Sequence, residues 1–223
     1  MAYAFIPGFG LTNDMYSNLG QYKNAQRIEI DSKLTWNDSL EHISVQIQEP
    51  TILIGYSQGA RLAIGETIEY PKNIKGLVVL SGNAGIENDT ERKLRCDQDI
   101  ELANLALSDT KEFWREFDTK NVFDSLMKFN SRINDEQILV SQLMKLGQGS
   151  MPNYNERISE IKIPILFCSG IRDSKYSLIA KTLKKKTAFS HHILFDSDHR
   201  LVHHCPEVLT NTIEWFANDV VNR

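Results

Sequence analysis

Thr51-Ile52-Leu53-Ile54-Gly55-Tyr56-Ser57-Gln58-Gly59-Ala60-Arg61-Leu62-Ala63 is the stretch that decides how the chain is read. Its first four residues are β-branched or leucine, and all but Thr51 are apolar, as in a strand buried on both faces of a sheet. From Gln58 the period changes, and Ala60, Ala63, Ile64, Thr67 and Ile68 share one face of a helix over residues 58–69. Between the two lies Gly-x-Ser-x-Gly. A strand that turns straight into a helix has no room for side chains flanking the turn, so the glycines are steric requirements. The turn lifts Ser57 above the sheet edge, at the positive end of the helix dipole. An ordinary tight turn that happens to hold a serine is the plain alternative, and the flanking strand and helix argue against it.

Outward from this centre, strand-length apolar runs recur at residues 3–6, 25–30, 77–80, 165–168 and 192–195, alternating with helical patterns such as 175–186. Alternation of this kind implies a doubly wound, mostly parallel sheet in one domain spanning 1–223. One stretch breaks it. Residues 89–146 hold no convincing strand, only polar-rich helical patterns at 89–107, 111–117, 122–129 and 135–146, which reads as a helical cap inserted over about 86–150.

A serine hydroxyl needs a base, and that base is normally a histidine oriented by a carboxylate. Asp173 follows the strand at 165–168, and His199 follows the strand at 192–195, so the chain order Ser57, Asp173, His199 suits nucleophile, orienting acid and base. Asp196 and Asp198 are rival carboxylates, but they share a loop with His199 and read as solvated turn residues. His203 and His204 lie one turn further on. A His-x-x-x-His metal pair has no suitably spaced acidic third ligand, and no metal or other cofactor is expected. His42, His191 and His192 read as surface or strand-edge residues. Donors for developing negative charge are expected from the backbone of Gln58, next to the serine, and of Phe9 in the glycine-bearing loop Pro7-Gly8-Phe9-Gly10.

Composition excludes several classes of function. Lys and Arg number 25 against 29 Asp and Glu, for a formal charge of −4, and the basic residues are scattered, so no nucleic-acid partner is expected. No apolar run reaches the roughly 20 residues of a membrane-spanning helix, and Met1 to Ile6 read as too short for a standard signal peptide, so neither a membrane span nor an export signal is expected. The three widely spaced cysteines, Cys96, Cys168 and Cys205, read as reduced, buried thiols in the cytoplasm. A monomer or small homo-oligomer is expected.

Several segments carry a resemblance beyond this layout. Gly55 to Ala63, Ser81-Gly82-Asn83-Ala84-Gly85-Ile86, Glu91-Arg92-Lys93-Leu94-Arg95-Cys96-Asp97, Val122-Phe123-Asp124-Ser125-Leu126, Leu146-Gly147-Gln148-Gly149-Ser150-Met151-Pro152 and Gly170-Ile171-Arg172-Asp173-Ser174-Lys175-Tyr176 are similar to segments of one family. It comprises the α/β-hydrolase-fold 2-succinyl-6-hydroxy-2,4-cyclohexadiene-1-carboxylate synthases of menaquinone biosynthesis. The resemblance implies a lyase, in which proton abstraction drives loss of pyruvate from a succinylated cyclohexene carboxylate. It also implies that Ser57, Asp173 and His199 are the triad, that Arg61 and Arg95 hold carboxylates of a small anionic substrate, and that Tyr56 and Phe117 line its pocket. Read from position alone, Arg61 fits a helix-surface ion pair and Arg95 a solvated residue equally well. Three positions depart from the family pattern: Pro7 stands for a histidine, Phe117 for a tryptophan unless Trp114 takes that place, and Asp198 for the glycine before the histidine. A small carboxylesterase or thioesterase working through an acyl-enzyme is the alternative activity for the same triad.

Overall fold

The computed structural model describes residues 1–123 and 129–221. Six parallel strands form one sheet in the order β2-β1-β3-β4-β5-β6: β1 (Ala2–Ile6), β2 (Gln26–Arg27), β3 (Thr51–Tyr56), β4 (Ile74–Leu80), β5 (Ile165–Gly170) and β6 (Ser190–Phe195). The α/β-hydrolase architecture expected from the sequence is what the chain adopts.

Alternation along each strand sorts side chains to two faces. Leu53, Ile165 and Phe167 join a core with Leu40 and Ile43 of α1 (Trp36–Gln46), Ala60, Ala63 and Ile64 of α2 (Gln58–Glu69) and Leu183 of α6 (Ser174–Lys186). Their neighbours Ile52, Ile54, Leu166 and Cys168 join the opposite core, with Met15, Tyr16, Leu201 of α7 (Leu201–His204) and Leu209 and Ile213 of α8 (Pro206–Trp215). A sheet covered on both faces explains why its strands read as nearly continuous apolar runs.

The expected strand at 25–30 is a correction in extent. Only Gln26–Arg27 pair with β1, at the sheet edge, while Ile28 turns into the core. The other strands start one to three residues earlier, or end two residues later, than their apolar runs suggest. Polar or small residues such as Gly76 and Ser190 pair as well as apolar ones.

Between β4 and β5 stand α3 (Asp89–Ser108), α4 (Thr110–Asp118) and α5 (Glu136–Leu146), as the sequence suggests. Each N-cap side chain, from Asn88, Asp109 and Asp135, accepts a hydrogen bond from a backbone amide in the first turn of its helix. The three helices bury a small core of their own, centred on Leu102, Ala106, Phe113, Trp114, Leu139 and Leu143. The helix expected at 122–129 falls mostly outside the described residues, and Val122 and Phe123 themselves lie beyond the end of α4 without helical structure.

Candidate active site

The carboxyl ends of β1, β3, β5 and β6 converge on one crevice, where ligands bind in open parallel sheets. At the end of β3, Ser57 adopts φ 52° and ψ −107°, a strained backbone for a residue with a Cβ. Its neighbours have no space for one. A Cβ on Gly55 would stand 2.3 Å from the Gly59 carbonyl oxygen, and one on Gly59 would stand 2.2 Å from that of Ile6. The Ser57 amide donates to the Leu80 carbonyl at 2.8 Å, which pins the turn to β4.

Ser57 Oγ lies 3.0 Å from His199 Nε2, and His199 Nδ1 lies 2.6 Å from Asp173 Oδ2. The second carboxylate oxygen of Asp173 accepts the Tyr176 amide at 3.2 Å, so Asp173 also caps α6. With Nδ1–H donating to the carboxylate, Nε2 is left to accept from the serine hydroxyl, the tautomer that a general base requires. The imidazole is walled by aromatic rings, with Tyr176, Phe123 and Tyr56 centred 4.5, 5.5 and 5.6 Å away. Burial raises the Tyr56 hydroxyl well above its ordinary range, so it stays a neutral phenol.

The loop after β1 is fixed on several sides. The amides of Gly8, Gly10 and Leu11 find acceptors in Met15 Sδ, Gln142 Oε1 and the Gly8 carbonyl, whereas among the described residues that of Phe9 has none. The Phe9 ring packs on Phe113, Trp114 and Phe117, bringing α4 over the crevice. Gln58 begins α2, and its side chain donates to the Leu146 carbonyl at 3.1 Å, tying the serine turn to α5.

Above these groups lies a cavity of about 500 Å³, whose walls include Ser57, His199, Phe9, Tyr56, Arg61, Arg95 and Phe117. Every residue picked from the sequence as a site residue borders it, except Asp173, which sits behind His199. Trp114 and Phe117 both face it, so the choice between them is not exclusive.

Neither bland reading of the two arginines is right. Arg61 is buried on α2 rather than displayed on a helix surface, and its Nη1 donates to the Leu146 carbonyl at 3.0 Å. Burial above all pulls its guanidinium down to about 10, which leaves it charged at neutral pH. Arg95 is half-buried and paired with Asp99 at 2.8 Å.

The sequence reading missed Lys120 and Lys175, which also line the cavity. Lys175 had a signal, since it stands two residues after Asp173 on the first turn of α6. Lys120 follows α4 without one. Its ammonium is lowered by burial, then by the neighbouring Arg95. It also overlooked Tyr176, whose hydroxyl accepts from Gln148 at 2.9 Å.

Asp198 is a clear correction. It is fully buried and paired with Arg200, not solvated, while Asp196 is exposed beside Arg172, as a turn residue should be. His192, on β6, lies 2.8 Å from the Ser169 hydroxyl, and His191 stacks edge-on against Trp215. His204 approaches Asp198 at 3.6 Å, and the His203 ring packs on Phe129. No helix of the described residues is long and apolar enough to cross a membrane.

Fold and crevice together define an α/β-hydrolase-fold protein. No family model matches the chain. Among curated proteins it is similar to one named putative 2-succinyl-6-hydroxy-2,4-cyclohexadiene-1-carboxylate synthase from Bacillus subtilis, 31% identical over 144 residues that cover 60% of this chain and 53% of that protein. A protein of the same name from Haemophilus influenzae is 24% identical over 66% of each chain. The matched stretch thus spans between half and two thirds of these relatives. Among solved structures, that of MenH from S. aureus superimposes with a TM-score of 0.91 at 20% identity, covering 98% of this chain and 94% of that one. An esterase from Exiguobacterium antarcticum superimposes at 0.75 with 12% identity over 98% and 92% of the two chains. The resemblance read from the sequence is therefore shared by curated relatives that bear the synthase name.

Proposed function

We propose that the protein is a lyase that eliminates pyruvate from a succinylated cyclohexene carboxylate in menaquinone biosynthesis, with Ser57, His199 and Asp173 as its triad. One observation carries this reading: a linked serine, imidazole and carboxylate open into a cavity whose wall holds Arg61, Arg95, Lys120 and Lys175. Arg132 and Arg200 border it as well, both paired with Asp118, and Arg95 is paired with Asp99, whereas Arg61, Lys120 and Lys175 have no carboxylate within ion-pair distance among the described residues. Such a wall favours a substrate with several carboxylates, since guanidinium groups grip carboxylates in two-pronged fashion and a partly desolvated cation gains most from an anionic ligand.

In the proposed reaction the Asp173 carboxylate fixes His199 as a base. His199 draws the proton from Ser57, whose oxygen takes the proton from the substrate carbon. The electron pair left on that carbon forms the new carbon–carbon double bond as the carbon–oxygen bond to the leaving group breaks, and the departing pyruvate enolate takes up the proton held on His199. The amides of Phe9 and Gln58 stabilise negative charge developing on substrate oxygen. The segment over about 86–150 serves as the cap that excludes water and supplies Arg95, Phe117 and Lys120. The free thiols of Cys96, Cys168 and Cys205 suit a cytoplasmic enzyme.

The second reading, an esterase or thioesterase, draws on the same Ser57–His199 pair, which is equally suited to acyl-enzyme formation. Incubation with the pathway intermediate, with pyruvate followed through a coupled dehydrogenase beside a p-nitrophenyl ester assay, separates the two. Pyruvate release that Ser57→Ala abolishes supports the lyase. Ester hydrolysis without pyruvate release overturns it.

A further inference from the structure

We propose that Arg200 and Asp118 are positioning residues for His199, an inference that rests on reading Ser57 and His199 as the reacting pair. Arg200 follows the imidazole in sequence and is among the largest fully buried side chains. Its Nη2 meets Asp118 Oδ1, at the end of α4, at 2.9 Å. Its Nη1 lies 3.5 Å from Asp198 Oδ2, and its backbone amide donates to Asp198 Oδ1 at 2.7 Å. The guanidinium also lies over the Phe123 ring, 3.9 Å from its centre.

These contacts converge on the histidine. The His199 amide donates to the Val122 carbonyl at 3.1 Å, and Phe123 stands edge-on to the imidazole. The residues on either side of His199 are therefore held as an ion pair, and the chain running from Asp118 to Phe123 is clamped onto that pair and onto the imidazole itself. Asp118 further pairs with Arg132, which stacks on Trp114. The helical segment and the histidine loop thus share one buried set of charges.

A buried guanidinium that loses a carboxylate must shift to find water or another partner. Because Arg200 adjoins His199, such a shift moves the imidazole relative to Ser57, and displacements near 1 Å in a reacting pair cost about 10²-fold in rate. Asp118 and Arg200 themselves border the cavity, but Arg61 on α2 and Lys175 on α6 lie outside this set of contacts and need not move. The expected signature is a loss in the reaction step with binding preserved.

The test measures covalent labelling of Ser57 by a fluorophosphonate probe, resolving the limiting rate from the half-saturating concentration. Asp118→Ala should lower the limiting rate about 10- to 100-fold and leave half-saturation within about 2-fold. Asp118→Glu should recover part of the rate. Combined with His199→Ala, Asp118→Ala should cause no further loss, because it acts through the imidazole. Should the alanine variant fail to fold, Asp118→Asn, which keeps the shape and removes the charge, allows the same comparison. An unchanged limiting rate in these variants, or a loss of equal size without His199, would overturn the proposal. Labelling that survives Ser57→Ala would instead remove the reading of the site on which it rests.

Discussion

The two halves of the crevice are held by different physics. On the sheet side, Ser57 is placed by backbone packing: Gly55 and Gly59 allow carbonyls to approach where no Cβ fits, and the Ser57 amide is bonded to β4. On the helical side, Arg95, Lys120, Phe117 and Asp118 are placed by side-chain pairs and ring contacts around a small separate core. The first arrangement has almost no tolerance, whereas the second can change residue by residue without disturbing the sheet. One scaffold can therefore keep its reacting groups while the wall above them is altered.

The sharpest way to break this division is to remove the proposed reacting groups. Ser57→Ala and His199→Ala should each abolish nearly all turnover while thermal unfolding stays close to wild type. The double variant should be little worse, because groups acting as one unit do not contribute additively. Asp173→Asn should lose on the order of 10⁴-fold, since the amide favours the wrong imidazole tautomer. Turnover near wild type in Ser57→Ala would end the assignment.

The next largest effect belongs to the helical side. Arg95→Ala should reduce kcat/KM for the anionic intermediate by about 2–4 kcal/mol, with hydrolysis of a small neutral ester barely changed, and Arg95→Lys should restore only part. Equal losses on both substrates would mean that Arg95, through Asp99, holds the segment together and does not grip substrate. Gly59→Ala tests the opposite side. It should cost about 1–3 kcal/mol of stability or more, read as a lower denaturant midpoint, and should impair every substrate alike.

A further variant lies outside both halves. Glu66, buried on α2, has its carboxyl raised by burial from 4.5 to about 8. A carboxyl raised in the folded state stabilises fully below its ordinary pKa, and that stability is lost as pH rises towards 8. Wild-type Tm should therefore fall between pH 5 and 8 by about 2–4 °C per kcal/mol lost, and Glu66→Gln should flatten the slope without changing turnover. The smallest effect contrasts two near neighbours. Asp196→Ala, at an exposed pair, should change stability by less than about 1 kcal/mol, whereas Asp198→Ala, which strips a carboxylate from the buried Arg200, should be severe.

The same division decided what the sequence could tell. Gly55, Ser57 and Gly59 announce a turn because the reason for each is local, and Asp173 and His199 follow from their places just after strands. Periodicity marked α3, α4 and α5. Lys120 gave no sign, since its place beside Arg95 depends on how α3 and α4 pack. Asp198 was misread because nothing in Asp196-Ser197-Asp198-His199-Arg200 says which carboxylate turns inward; the guanidinium of Arg200 and the distant Asp118 decide that. Residues 25–30 look like a strand by composition, yet an edge position needs only two of them paired.

Ser57 and its imidazole partner are 142 residues apart in the chain, and the strands that bring them together are joined only by long parallel crossovers. Contacts of that separation form late, after the entropy of closing large loops has been met. A nascent or partly opened chain therefore carries an ordinary, unreactive alcohol at position 57. Attack on a serine-directed probe becomes a clock for the last step of folding, and its recovery after denaturant dilution should lag behind the return of helical circular dichroism.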